Sequence, residues 1–275
     1  MRARARFSFP IKRFIKTAFA EDFAHEDITS LSCIPENTQA EAHIVLKQKA
    51  CIAGLKFIPD IFHLRDPEIE VRILASEGQM CEKGTVLAEL QGSARSLLSG
   101  ERVALNFLQH LCGVATLTAR CVALAGACQI LDTRKTILGL RMAQKYAVGV
   151  GGGVNHRMHL ADRILIKNNH LALVPLEECV RRARERCAWI EVEVGSVGQM
   201  EQAINAGANA ILLDNMSPDQ VRECVLGARG RVYLEASGGI TLDNVAAYAA
   251  TGVNGVSIGA LTHSAHAIDI SMRLK

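Results

Sequence analysis

The sequence predicts an α/β protein whose larger part is a closed or nearly closed parallel barrel, preceded by a strand-rich first third. Three observations predict it. Short apolar strands recur beyond residue 105 with helical stretches between them, roughly 20–35 residues apart, the rhythm of a parallel sheet. These strands are near-continuously apolar, as strands buried on both faces are. Nearly every one ends in a polar residue or glycine, and in such barrels the carboxyl ends of the strands share one face, which holds the site.

The elements follow in order. From about Ala40 to Gly92, His43–Lys49 alternates, Glu70–Leu74 reads as a strand, and Glu77-Gly78 and Lys83-Gly84 mark turns. Ser99 is the expected cap of a long helix with Glu101 in its first turn and Val103, Phe107, Leu108, Leu111 and Val114 on its apolar face. A domain boundary is expected near residue 105. Strands are then expected at Ile130-Leu131, Ile164–Ile166, Ile190–Val194, Ala210–Leu213, Val232–Leu234 and Val256–Ile258. Gly207 and Gly252 stand where helices end in the left-handed conformation, and Ser217-Pro218 and Thr241 are expected N-caps. A dinucleotide-binding sheet is disfavoured, because no G-x-G-x-x-G follows a strand and Gly151-Gly152-Gly153 does not fit that fingerprint.

Composition narrows the function. The 275 residues are 49% hydrophobic and 21% charged, ordinary for a globular enzyme. No apolar run is expected to reach the ~20 residues of a bilayer span. The net charge is +3, but Arg2, Arg4, Arg6, Lys12, Arg13 and Lys16 face no acid within residues 1–20, which leaves the rest at −3. A basic nucleic-acid face on the body of the protein is therefore disfavoured. Residues 1–16, Arg-rich and without acids, suit either a targeting peptide or a solvated basic arm, and the lack of the apolar core of a secretory signal favours the arm. Nine cysteines at irregular spacing, without a C-x-x-C pair, read as free thiols of a cytoplasmic protein.

The expected strand ends carry the chemistry. Arg134, Lys135, His156, Arg157 and Lys167 come from separate segments to one mouth. Any one of them alone reads as a solvated end; five together suit a substrate with several negative charges. Glu193 and Asp214 end consecutive strands, where they would hold a divalent cation or ribose hydroxyls, or serve only as partners of the basic residues. Ser237-Gly238-Gly239 and Gly259-Ala260 follow the last two strands, a recurrent place for phosphate. His156 and His159 have no evident third ligand for a structural metal. Met142, Tyr146 and Trp189 read as core or interface.

Seven motifs now stand in order: Thr133-Arg-Lys-Thr136, Gly151-Gly-Gly-Val-Asn-His-Arg157, Leu165-Ile-Lys-Asn-Asn-His170, Glu191-Val-Glu193, Leu213-Asp-Asn215, Glu235-Ala-Ser-Gly-Gly239 and Ile258-Gly-Ala-Leu-Thr-His263. Upstream are Glu26-Asp-Ile-Thr29 and Ser99-Gly-Glu-Arg-Val-Ala-Leu-Asn106. In this order the chain, from about residue 20 to its end, resembles the quinolinate phosphoribosyltransferases. The resemblance implies an N-terminal α/β-sandwich domain over 17–105 and an open α/β (TIM-like) barrel over 106–275, its last segment returning to the N-terminal domain. It implies quinolinate and phosphoribosyl pyrophosphate as substrates, Mg2+, and a homodimer with shared sites. Arg102 matches the arginine that reaches the neighbour's site. Thr133, Arg134, Lys135, His156, Arg157 and Lys167 match the quinolinate pocket, with Lys135 nearest the carboxylate that is lost. Glu193 and Asp214 match the acids around ribose and Mg2+, and Ser237, Gly238, Gly239, Ile258, Gly259 and Ala260 match the 5′-phosphate loops. Lys135, Lys167, Glu193 and Asp214 are the expected catalytic group.

Ile137-Leu138 stands where that family usually has Thr-Pro, Gly149 where a basic residue is usual, and His159 where Gly is common. None removes an assigned charge. Two other readings are the related molybdenum-transport-associated protein, disfavoured by intact His156-Arg157 and Lys167–His170, and a non-catalytic anion-binding protein, which would not need Glu193 and Asp214.

Overall fold

The computed structural model describes residues 11–275. The first ten residues of the expected arm lie outside the described residues. Its remainder is corrected: 11–16 open the helix Ile11–Glu21, in which Ile15 and Phe19 are buried. Phe14 meets the ring of Phe107 at 5.4 Å. Apolar residues at 11, 14, 15 and 19 make one helical face, which the many basic residues between them had obscured.

The chain divides into two compact units. One holds the residues up to Thr116 with Ile137–Gly152 and Ala265–Lys275; the other holds Leu117–Thr136 and Gly153–Ser264. The expected boundary at 105/106 falls inside a 32-residue helix, Ala94–Ala125.

In the first unit the strands are β1 (Gln39–Leu46), β2 (Ala50–Cys51), β3 (Glu70–Ile73), β4 (Met80–Cys81) and β5 (Val86–Ser93). Alternation on β1 buries Ala42, Ile44 and Leu46. The helix Ala94–Ala125 begins a turn earlier than Ser99. The Ser93 hydroxyl accepts the Ser96 N–H at 3.4 Å, while Ser99 lies inside the helix, accepts from Arg65 Nε at 2.7 Å and donates to Arg95 O at 2.8 Å. An 18-residue window of this helix has mean hydropathy 1.3, so by length and composition it does reach a membrane span, contrary to the expectation of none. Half of that window is buried inside the protein, the pattern of a core helix.

The second unit contains β6 (Gln129–Leu131), β7 (Ile164–Ile166), β8 (Ile190–Val194), β9 (Ala210–Asp214), β10 (Tyr233–Ser237) and β11 (Gly255–Ser257). They form one parallel sheet in the order β6-β11-β10-β9-β8-β7. Each strand therefore pairs with its neighbour in sequence, and the last with the first. The ring lacks only the β6–β7 ladder: the barrel is open. On the free edge of β6, Val154 donates to Ile130 O at 2.8 Å and accepts from Asp132 N at 3.2 Å, one rung of a further parallel strand. β12 (Ile270–Leu274) belongs to the first unit, where it pairs antiparallel with β1 and gives the sheet order β12-β1-β5-β3.

Gly207 (φ +93) and Gly252 (φ +87) end their helices in the left-handed region, as their sequence context predicts. Ser217 caps Pro218–Ala228 in a capping box with Gln220. Thr241 is not a cap: its hydroxyl accepts the Asp243 N–H at 3.3 Å in a turn, and the next helix starts at Val245 without a side-chain cap.

Candidate active site

The strand ends of the second unit surround a cavity of about 520 Å³. It is lined by Thr133, Arg134 and Lys135 after β6, His156 and Arg157, Lys167 after β7, Glu193 on β8, Asp214 on β9, Ser237–Thr241 after β10, and Ser257, Gly259, Ala260 and His263 after β11. Thirteen of the fifteen predicted residues thus line one cavity, of the size of a small-ligand site. The other two stand elsewhere. Ile258 is buried beside β11, and Arg102 lies on Ala94–Ala125 with its side chain 57% exposed.

Local hydrogen bonds shape the basic wall. Buried Asp132 accepts from Asn155 Nδ2 at 2.6 Å and from the His156 N–H at 2.9 Å, pinning the segment that carries Arg157 beside β6. Thr133 Oγ1 accepts the Lys135 N–H at 2.9 Å, and Lys135 O accepts from Thr262 Oγ1 at 2.7 Å. A Cβ on Gly259 would stand 3.2 Å from Lys135 Cδ, so glycine leaves room for that side chain. Arg157 is buried and donates to Arg163 O at 3.2 Å. Burial, and then the Arg134 charge, lowers its guanidinium below the ordinary range without discharging it. Among the described residues, the buried Arg134 Nε–H has no hydrogen-bond partner. A buried donor left unpaired costs about 1–3 kcal/mol.

On the acidic side, Lys167 Nζ is in ion-pair contact with Glu193 Oε2, and the Asn168 N–H reaches Glu193 Oε1 at 3.5 Å. Asp214 Oδ2 accepts from Asn215 Nδ2 at 2.8 Å. Beside Asp214, at the end of the neighbouring β10, Gly238 (φ +97) and Gly239 (φ +62) are both left-handed, a turn that successive L side chains would strain.

Beneath these residues lies a buried group that motif reading by itself did not single out. His156 Nε2 is 3.1 Å from Glu191 Oε2 and 3.5 Å from Glu235 Oε1. One His and two Glu are metal-ligand types. However, His156 Nδ1 accepts the Arg157 N–H at 2.7 Å, so the proton sits on Nε2, and that nitrogen faces the carboxylates as a donor. In this tautomer Nε2 offers a proton rather than a lone pair, and among the described residues the buried Glu235 Oε1 has no hydrogen-bond partner. Its signal was present in the alternation: Glu191 is two residues before Glu193 and Glu235 two before Ser237, so each pair shares a strand face, one layer apart. His263 and Thr241 also line the cavity and were not predicted.

The family profile described as quinolinate phosphoribosyl transferase, C-terminal domain, matches residues 114–273, and that of the N-terminal domain matches 27–112. The chain belongs to this family. Among its relatives, the probable nicotinate-nucleotide pyrophosphorylase [carboxylating] of Bacillus subtilis is 45% identical over 268 residues, 95% of this chain and 92% of that protein. Quinolinate phosphoribosyltransferase [decarboxylating] 2b of Nicotiana tabacum is 34% identical, covering 97% of this chain and 83% of that one. Among solved structures, the nicotinate-nucleotide pyrophosphorylase of Francisella tularensis superposes with a TM-score of 0.92 at 38% identity, covering 96% of each chain. That of Ehrlichia chaffeensis gives 0.93 at 32%, covering 98% of this chain and 100% of its own. The open α/β barrel and the separate antiparallel sheet are therefore this family's fold, and the molybdenum-transport-associated reading is not favoured.

Proposed function

We propose that the protein is a quinolinate phosphoribosyltransferase. It transfers the phosphoribosyl group of phosphoribosyl pyrophosphate to quinolinate with decarboxylation, giving nicotinate mononucleotide, pyrophosphate and CO2 for de novo NAD synthesis. The observation that carries this reading is one cavity lined by Arg134, Lys135, Arg157 and Lys167 on one side and by Glu193 and Asp214 on the other. Such a wall suits a small dianion, and two carboxylates on a flat ring match planar guanidinium forks.

The roles follow from position. Arg134, Arg157 and Lys167 hold the two carboxylates and fix the approach of the pyridine nitrogen to C1′. Pyrophosphate leaves with the C1′–O bond pair as the nitrogen lone pair forms the new bond. The pyridinium then accepts the charge left as the adjacent carboxylate departs as CO2, and the ring carbon takes a proton; Lys135 lies near that carboxylate. The Gly238-Gly239 and Gly259-Ala260 turns receive the 5′-phosphate. Glu193 and Asp214 are hard oxygen donors of the kind Mg2+ takes one or two of alongside substrate phosphates, and they are the residues that would hold it. When bound, Mg2+ supplies charge neutralisation for the departing pyrophosphate.

On the same reading the protein is a cytoplasmic homodimer with shared active sites. The exposed Arg102, matching the family's reaching arginine, supports the dimer, and nine free cysteines support a reducing compartment. Formation of nicotinate mononucleotide from quinolinate, phosphoribosyl pyrophosphate and Mg2+ tests the activity. Pyrophosphate release without decarboxylation, or binding without turnover, would refute it. Mixing R102A with K135A protein tests the shared site: hybrid dimers should recover activity, and exchange of subunits without recovery would refute sharing.

A further inference from the structure

The residue after Asp214 is one of three non-glycine residues with positive φ among the described residues: Asn215 has φ 55. Asn enters this left-handed region more easily than other L residues. The conformation turns the chain back on the end of β9 and gives Asn215 three contacts. Its N–H donates to Ser237 O at 2.8 Å, and Ser237 is the register partner of Asp214 on β10. Its Nδ2 donates to Asp214 Oδ2 at 2.8 Å. Its Oδ1 takes the space beside Gly238, where a Cβ would stand only 2.2 Å away. One side chain therefore touches the acid of the ribose end and the turn of the phosphate end.

We propose that Asn215 is a positioning residue that locks the Asp214 carboxylate against the Gly238 turn, so that both ends of the phosphoribosyl pyrophosphate site are set together. This rests on the functional reading above. An ionised carboxylate otherwise rotates about its last torsion; with Oδ2 held, Oδ1 is the oxygen left for a ribose hydroxyl or cation. The residue type is narrowly constrained. Gly keeps the backbone and loses the donor, Ala loses the donor and resists the conformation, and Asp places a second carboxylate against Asp214. Asn215 is exposed, so its loss weakens the site more than the fold.

The test measures binding of phosphoribosyl pyrophosphate with Mg2+ by titration calorimetry, together with both KM values and Tm, for the native protein, N215G and N215D. N215G should weaken phosphoribosyl pyrophosphate about tenfold, as expected for a lost hydrogen bond to a charged group. Its quinolinate KM should stay within about twofold and its Tm within a few degrees, and N215D should bind more weakly still. Native affinity in N215G, or an equal loss for both substrates with a fall in Tm, would overturn the role. A native protein that binds phosphoribosyl pyrophosphate but forms no nicotinate mononucleotide would overturn the functional reading alone, with Asn215 still judged by its Kd. No binding by the native protein would overturn both.

Discussion

Replacing Glu235 by Gln removes one titration from the barrel floor and leaves the shape nearly unchanged. Burial first, and the neighbouring Glu191 carboxylate second, raise the Glu235 carboxyl from 4.5 to about 7. His156 and the Ser257 hydroxyl favour its ionised form, and Asp132 opposes it. In the folded protein Glu235 keeps its proton over a range in which the unfolded chain has already lost it. The stability this provides is full below 4.5 and is lost as pH rises to about 7 and beyond. At 1.36 kcal/mol per pH unit, the window is worth about 3 kcal/mol. Gln never ionises, so E235Q gains on the native protein as pH rises. Urea unfolding of both proteins at pH 5 and pH 8 should show the difference moving in favour of E235Q by on the order of 2–3 kcal/mol. A difference that stays constant, or moves the other way, would show that Glu235 does not hold a proton in the folded state.

Other expectations concern the site and the scaffold. R157A and K167A should each lower kcat/KM for quinolinate by about 2–4 kcal/mol in transition-state terms, with circular dichroism confirming the fold; near-native turnover would contradict the assigned pocket. The native enzyme should prefer quinolinate to nicotinate, because a single carboxylate leaves buried cations unpaired. G113A should lower the urea midpoint although Ala favours helix: its Cβ would stand 2.2 Å from His266 O, and such overpacking costs about 1–3 kcal/mol. Deleting residues 1–10 should leave turnover within a few-fold, as a steady-state assay of the truncated protein would show. Loss of activity in a folded protein would assign that segment a role.

Much of the barrel was legible because its signals are local. A glycine at 207 or 252 ends a helix through its own φ, and Ser217 caps through an N–H three residues away. The polar strand ends could be read as one face because parallel strands share a direction. Thr241 and Ser99 misled for a related reason. A hydroxyl has several competing local partners, and the surrounding chain selects among them. Arg65, far from Ser99 in sequence, was the partner that no pattern near Ser99 announces.

By itself the sequence determined the parallel strands, their polar ends and the charged residue types at the mouth, because periodicity, turn chemistry and charge act over a few residues. Only the tertiary structure decided which of these groups engage one another. It paired Lys167 with Glu193, turned His156 Nε2 onto Glu191 and Glu235, and chose β1 and the β6–β7 gap as the places where the returning segment and the open barrel expected from the sequence are realised. Those outcomes depend on register and closure between segments distant in the chain, and so on the whole sheet rather than on any stretch of it.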